Sequence, residues 1–219
     1  MDLARELEKR LERFVDGIST AIFRGRVHPV DIANRLVREA DLAQREGRAG
    51  PEIPNRWVCR LAMADLGTED VSDLERELTH ALSTTAADRG WRTGGPVTVH
   101  VAADARARQG SIGYTSSYQP GAVPTWSQLL DAVAGVSHDI GDNRVLVGRD
   151  DEVDIHLDDP QVSRLHAVVF REAGKAWIND LGSANGTTVN GTVVNDQAVP
   201  LRPGDTVAFG PATFAFRMR

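Results

Sequence analysis

Apolar residues at the start of the chain recur at intervals of three and four: Leu3, Leu7, Leu11, Phe14, Val15, Ile18 and Ile22. That period gathers them into one stripe of an amphipathic helix. The segment "GRVHP" (25–29) interrupts it, and Pro29 suits the first turn of a second helix, where its missing N–H costs nothing. The second stripe, Val30, Ile32, Leu36, Val37 and Ala40, fades into the turn-rich "REGRAGPEIP" (45–54). "RWVCRLAMADL" then alternates as a strand does. "SDLERELTHALSTTAADRG" returns to a helical period through Leu74, Leu78 and Leu82. Ser72 and Glu75 have capping-box spacing there, and Gly90 supplies the stop. "PVTVHVAAD" predicts a second strand and "GSIGYTSS" a short third. Residues 1–115 therefore read as a small α+β domain, a short sheet with helices on one face.

From 116 to 140 the texture changes. "SSYQPGAVPTWSQLLDAVAGVSHDI" has two prolines and many small residues, which predicts a linker, with a helical turn in "WSQLLDAVAGV". Residues 141–219 are different again, made of short strands bounded by Gly, Asn, Asp or Pro. They are "RVLVGR", "VDIHL", "LHAVVFRE", "KAWINDL", "TTVNGTVV", "QAVPL", "DTVAFG" and "ATFAFRMR". Asn190-Gly191 is the dipeptide of a two-residue type I′ hairpin, in which both central residues take positive φ. Turns every 8 to 12 residues indicate a β-sandwich. The expected order is an α+β domain, a linker and an all-β sandwich.

Composition narrows the function classes. The 219 residues carry a net charge of −6, which gives no bulk attraction to nucleic acid. Residues 1–115 hold 17 Lys/Arg against 18 Asp/Glu, and residues 116–219 hold 8 against 13, so the excess of negative charge lies in the sandwich. An anion-binding site there must be a local constellation working against its own field. No run approaches the ~18 apolar residues of a membrane helix. The N-terminus lacks the apolar stretch of a signal peptide, which points to the cytoplasm. The single cysteine, Cys59, fits a reducing compartment and, in "RWVCRLAM", reads as a buried thiol. His28 and His80 have no partner at metal-ligand spacing, and His100 lies within a strand. No metal or cofactor is expected.

Three loops of the sandwich carry unusual polar residues. Gly148 and Arg149 end one strand, Ser163, Arg164 and His166 lead into another, and Ser183, Asn185 and Gly186 follow a third. A serine with a nearby histidine raises the question of a hydrolase. Ser163 and His166 are too close along one loop for a triad, and no G-x-S-x-G elbow exists. "GSANG" lacks the Gly-Lys-Ser/Thr ending of a phosphate-cradling P-loop. A binding site is the better reading than an enzyme. In order and spacing, "GR", "SxxH", "NG" and a second "NG" resemble the forkhead-associated (FHA) domain, over about residues 145–219.

The resemblance implies a phosphothreonine-peptide site, with Arg149 and Ser163 on the phosphate and Arg164 adding a second guanidinium. Asn185 would bond the peptide main chain, while Gly148, His166 and Gly186 would shape the loops. The chemistry fits, since a phosphate offers strong acceptors to guanidinium and hydroxyl donors. One departure is Ala184, where many family members place a hydroxyl residue. The acidic run Asp150, Asp151, Glu152 and Asp154 predicts selectivity against acidic flanks.

Residues 1–115 resemble the N-terminal domain of actinobacterial FhaA-type proteins through "FRGRVHPVDIANRLVREAD", "PNRWVCRLAMAD" and "RGWRTGGPVTVHV". That family implies an adaptor in Ser/Thr-kinase signalling near envelope synthesis, with recruitment to the inner face of the membrane. Its partners would be a phosphothreonine protein and a Ser/Thr protein kinase. Thr115 and Thr125, read as linker residues, are candidate phosphosites for self-association. A phosphate-independent interaction module and an RNA-binding N-terminal domain are the alternative readings.

Overall fold

A computed structural model describes residues 27–66, 71–131 and 134–219. The stripe from Leu3 to Ile22 lies outside the described residues. The chain forms two compact units. Unit 1 comprises residues up to Arg45, Ile53–Ala86 and Thr93–Gly121, and unit 2 comprises Glu46–Glu52, Ala87–Arg92 and Ala122–Arg219.

In unit 1, helix α1 (Pro29–Leu42) starts at the proline as expected, and the His28 side chain accepts from the Val30 N–H as its N-cap. The helix buries Ile32, Ala33, Leu36 and Ala40. Strand β3 (Arg56–Ala62) buries Trp57, Cys59 and Leu61 and turns Arg56 and Arg60 outward, the alternation a half-covered sheet requires. Helix α2 (Ser72–Asp88) leads to β4 (Thr98–Asp104), which pairs parallel with β3, while β5 (Ile112–Ser117) closes the sheet antiparallel in the order β4-β3-β5. Glu75 sends its carboxylate to the sheet's edge, accepting the Val101 N–H at 2.7 Å, and the Thr79 hydroxyl accepts the Val99 N–H at 3.0 Å. Two outward N–H groups of edge strand β4 are thereby paired with side chains of the helix.

Unit 2 is a two-sheet sandwich. The first sheet has β8 (Arg144–Gly148), β9 (Ile155–His156), β10 (Ala167–Glu172), β11 (Lys175–Asp180) and β14 (Val199–Leu201), in the order β14-β11-β10-β8-β9. The second has β6 (Ser127–Leu130), β7 (Ser137–Ile140), β12 (Thr187–Val189), β13 (Thr192–Val193), β15 (Thr206–Phe209) and β16 (Ala212–Met218), in the order β13-β12-β15-β16-β6-β7. Val145, Val147, Val169 and Ile178 of one sheet meet Leu129, Ile140, Phe209 and Phe216 of the other in a single buried cluster. The hairpin of β1 (Arg45–Gly47) and β2 (Gly50–Glu52) adds Ala49 to a smaller cluster with Leu146, Val168 and Phe170 on the first sheet's outer face.

Two expectations change here. Residues 116–140 are not a linker throughout: β5 runs to Ser117, and β6 and β7 belong to the sandwich. "WSQLLDAVAGV" forms no helical turn at its start, because Ser127 and Leu129 point into the core while β6 pairs with β16 at the far end of the sequence. Nothing local to the segment reveals that partner. The second change is that residues 46–52 and 87–92, within the stretch assigned to the first domain, fold with the sandwich.

Candidate functional site

The candidate phosphopeptide-binding side chains sit on loops where strands of the first sheet end or begin. Strand β8 ends at Gly148, and the following loop is pressed against the loop that leads into β10. The Arg149 N–H donates to the Ser163 carbonyl at 3.0 Å and the Asp150 N–H to the Arg164 carbonyl at 3.2 Å. A Cβ on Gly148 would lie 2.1 Å from the Arg164 carbonyl oxygen, so no side chain fits there. Arg149 is exposed, and its Nε–H reaches the Val162 carbonyl at 3.3 Å. The two Nη groups have no protein partner among the described residues.

His166 is fully buried and spans two loops. Its Nδ1 accepts the Ser163 N–H at 3.1 Å, which leaves Nε2 to carry the proton and donate to the Gly186 carbonyl, also at 3.1 Å. The ring packs edge-on against Phe209. Its donor and acceptor are thus both spent on backbone, which leaves no role for it as a general base. Gly186 adopts φ +73°, and its carbonyl also accepts from the Gly210 N–H.

The third loop docks on the second through Ser163 and Asn185. The Ser163 Oγ accepts the Ala184 N–H at 3.0 Å, and its own proton remains available to a ligand. Asn185 Nδ2 donates to the Gln161 carbonyl at 2.8 Å, while its Oδ1 and second N–H have no partner among the described residues. Arg164 is exposed and close enough to Asp150 to help hold that carboxyl below its ordinary pKa, behind the Glu152 N–H and Arg48. Arg149, Ser163, Arg164 and Asn185 therefore share one rim, built by hydrogen bonds between three loops.

Asp180, which the sequence pattern did not bring forward, shapes the third loop. One oxygen accepts the N–H groups of Gly182 and Ser183, each at 2.8 Å, and the other the hydroxyls of Ser183 (2.7 Å) and Thr187 (2.6 Å). Burial pushes its carboxyl up, but these four donors outweigh that and hold it below the ordinary range. The spacing Asp-Leu-Gly-Ser is the available signal, an aspartate accepting from backbone two and three residues on.

The other candidates lie elsewhere. Thr115 is in β5 of unit 1, its hydroxyl accepting from Arg60 Nη1 at 2.9 Å, and Thr125 precedes β6, donating to Asp139 at 3.3 Å. Thr115 is therefore a strand residue rather than a linker residue. Cys59 is buried, and burial pushes its thiol up to about 11 although its side-chain contact with Tyr114 acts the other way, the opposite of what a nucleophile needs. Unit 1 holds a cleft of about 320 Å³ lined by Arg56, Thr98, His100 and Gln119 among others, with none of the candidate residues on it. Among the described residues no helix is long and apolar enough to cross a membrane, and no group of three or more His, Cys, Asp or Glu is placed to hold a metal ion.

Two family models match the chain: the FHA domain over residues 145–210 and the FhaA N-terminal domain over residues 4–114. The chain is similar to the glycogen accumulation regulator GarA of Mycolicibacterium smegmatis, 38% identical over 117 residues that cover 52% of this chain and 72% of GarA. It is also similar to the FHA domain-containing protein FhaA of Mycobacterium tuberculosis, 33% identical over 89 residues, 41% of this chain and 16% of that protein. Among solved structures, Mycobacterium tuberculosis EmbR in complex with a low affinity phosphopeptide matches at 32% identity and a TM-score of 0.41, over 43% of this chain and 24% of EmbR.

Proposed function

Because the chain belongs to the FhaA family and carries an FHA domain behind an FhaA N-terminal domain, we propose that unit 2 is a phosphothreonine-peptide receptor and the protein a non-enzymatic adaptor. The observation that carries this reading is the cross-bonded rim. Arg149 has both Nη groups uncommitted, Ser163 keeps a hydroxyl proton to donate, and Arg164 brings a second positive charge beside them. A phosphate of charge about −1.5 to −2 is the ligand such donors suit. Asn185 then fixes the peptide by its main chain, which needs one acceptor and one donor and has both uncommitted. Loops braced against one another present these groups without ordering cost at binding.

The kinase that writes the mark, and a place in signalling at the inner face of the membrane, follow from the family alone. GarA, 38% identical where it matches, is a regulator of glycogen accumulation, which accords with a binding role rather than a catalytic one. Self-association through a phosphorylated Thr125 is compatible with its position, half-exposed and ahead of β6.

Titration of the full chain with one threonine peptide in phosphorylated and plain form tests the reading. The phosphorylated form binds at least about tenfold tighter, and Arg149→Ala removes most of that difference, since a hydrogen bond to a charged group contributes about 1.5–3 kcal/mol. Equal affinity for the two forms would establish instead a module that has dispensed with phosphate. The alanine at 184, which brings a backbone N–H to Ser163 but no hydroxyl of its own, is the feature favouring that second reading.

A further inference from the structure

The unit that holds the rim is assembled from three stretches of chain. Residues 46–52 and 87–92 meet at a bridge between Glu52 and Arg92, where the Arg92 N–H donates to the Pro51 carbonyl at 2.8 Å. Ala49 is buried against Leu146, Val168 and Phe170 on the outer face of the first sheet. Asn143 Nδ2 donates to the Trp91 carbonyl at 2.7 Å, and the Ala173 N–H donates to the Asp88 carbonyl at 2.8 Å. This outer face explains why β8 is apolar on both sides, with Val145 and Val147 facing the core and Leu146 facing the added segments.

The polar side of the same segments grips the loop that begins at Arg149. Arg92 forks onto Asp154, with Nη2 to Oδ1 at 2.7 Å and Nη1 to Oδ2 at 2.8 Å, and Nη1 also reaches the Arg144 carbonyl at 2.6 Å. Asp154 Oδ2 in turn accepts the Leu146 N–H at 2.8 Å, which ties the end of the loop to the middle of β8. The Arg92 and Asp154 side chains are 22% and 29% exposed, so the pair is shielded enough to hold a geometry. Arg48 donates to Glu152 at 2.9 Å and lies 3.6 Å from Asp150. Three of the four carboxylates that follow Arg149 are therefore met by guanidinium groups from residues 46–52 and 87–92.

We propose that Arg48 and Arg92 are positioning residues of the phosphopeptide rim, holding the 149–154 loop in shape and offsetting its negative charge. This rests on the phosphopeptide reading above. The loop carries Asp150, Asp151, Glu152 and Asp154 against Arg149, a net −3. Arg48 and Arg92 reduce that to −1 beside the place where a dianion must dock. They also fix the loop at both ends: Asp154 against β8, and Asp150, whose N–H holds the Arg164 carbonyl, against Arg48. The two roles separate by residue. Arg92 is bidentate and partly buried and acts through geometry, whereas Arg48 is 43% exposed and acts through charge.

The test uses the full chain, a phosphothreonine peptide and its plain counterpart, with affinities measured well below the melting point of every variant. Arg92→Ala weakens phosphopeptide binding about five- to tenfold, and Arg92→Lys recovers only part because an ammonium cannot form the fork. Arg48→Ala weakens binding about threefold at low salt and by less than half that at 0.5 M, where exposed charges are screened. Arg202→Ala, in the exposed turn after β14, changes it less than twofold and controls for loss of one positive charge. Amide hydrogen exchange over residues 149–156 quickens in Arg92→Ala while β15 and β16 keep their protection.

If the native chain prefers the phosphorylated peptide while Arg48→Ala and Arg92→Ala bind it within twofold of native, the proposal is overturned and the phosphopeptide reading stands. Faster exchange with no change in affinity overturns it equally, since the two arginines would then only stabilise the fold. If the native chain itself does not discriminate, both fall together.

Discussion

At one end of unit 2, β10 turns into β11 through Ala173 and Gly174, and β12 into β13 through Asn190 and Gly191. At the other end, β8, β10, β11 and β12 all meet the loops that carry Arg149, Ser163 and Asn185. The first two turns take their shape from their own backbone, although the Ala173 N–H also donates to the Asp88 carbonyl and Asn190 bonds Asp205 and Thr206. All four central residues take positive φ, 50° and 70° in one turn and 51° and 79° in the other. They close directly onto the paired residues Glu172 with Lys175 and Val189 with Thr192, the type I′ geometry whose twist matches that of the strands. The rim loops have no such autonomy. Their shape comes from His166 on Gly186, Ser163 on Ala184 and Asn185 on Gln161, bonds that span 20, 21 and 24 residues of sequence. At one end local backbone preference sets the turns and distant bonds only add to them, whereas at the other the loops owe their shape to side chains that each brace a neighbouring loop. A change at the rim should therefore spread from loop to loop, whereas a change at the hairpins should stay where it is made.

The sharpest way to break that contrast is His166→Ala. It strands the Ser163 N–H, leaves the Gly186 carbonyl only its bond from the Gly210 N–H, and opens a void beside Phe209 in a site with no exposure. A loss of about 2–4 kcal/mol in urea unfolding is expected, together with loss of phosphopeptide binding although the ring touches no ligand. Retained binding with a loss under about 0.5 kcal/mol would mean that the loops hold their shape without cross-bracing.

Gly191→Ala tests the other end. An added Cβ meets nothing within 4 Å, so only the backbone strain at φ +79° remains, about 1–2 kcal/mol. Phosphopeptide affinity should stay within twofold, and a larger loss in the titration would show that the hairpin end communicates with the rim.

The same contrast governs how much of the molecule could be read from sequence. Asn190-Gly191 announces its hairpin because the two residues themselves take the positive φ that the turn needs. The α1 and α2 stripes and the alternation of β3 were legible for the same reason, each being a local period facing one core. The residue types at the rim were legible too, in Gly148, Arg149, Ser163, His166 and Asn185, since their order along the chain is itself a pattern. What joins them was not. Nothing near Leu129 signals that its strand pairs with Phe216, and nothing near Arg48 or Arg92 signals a carboxylate 104 or 62 residues away. Ser163 illustrates the boundary: the family resemblance implies a phosphate contact for it, and the structure adds that its oxygen already holds the Ala184 N–H. It can still donate its proton, but it cannot turn freely.

The smallest effect expected comes from protonating Asp180. Its carboxylate accepts four donors from the loop it organises, and they hold its pKa below the ordinary 3.8 in spite of partial burial. A carboxyl depressed on folding contributes stability at neutral pH, where the carboxylate is present in both states. That contribution is lost as the pH falls from near the ordinary value through the folded one. The melting temperature of the native chain should therefore fall more steeply below about pH 4 than that of Asp180→Asn, which has no charge to lose. The variant starts lower at pH 7, because an amide oxygen accepts the Gly182 and Ser183 N–H groups but an amide nitrogen cannot accept the two hydroxyls. The two melting curves should converge on acidification. Binding separates from this cleanly, since a peptide phosphate gains its proton near pH 6 and affinity weakens there in native chain and variant alike. Parallel melting curves down to pH 3 would place the cause of the loop's shape elsewhere, in the 2.9 Å bond from the Leu181 N–H to the His166 carbonyl and the left-handed turn at Gly186.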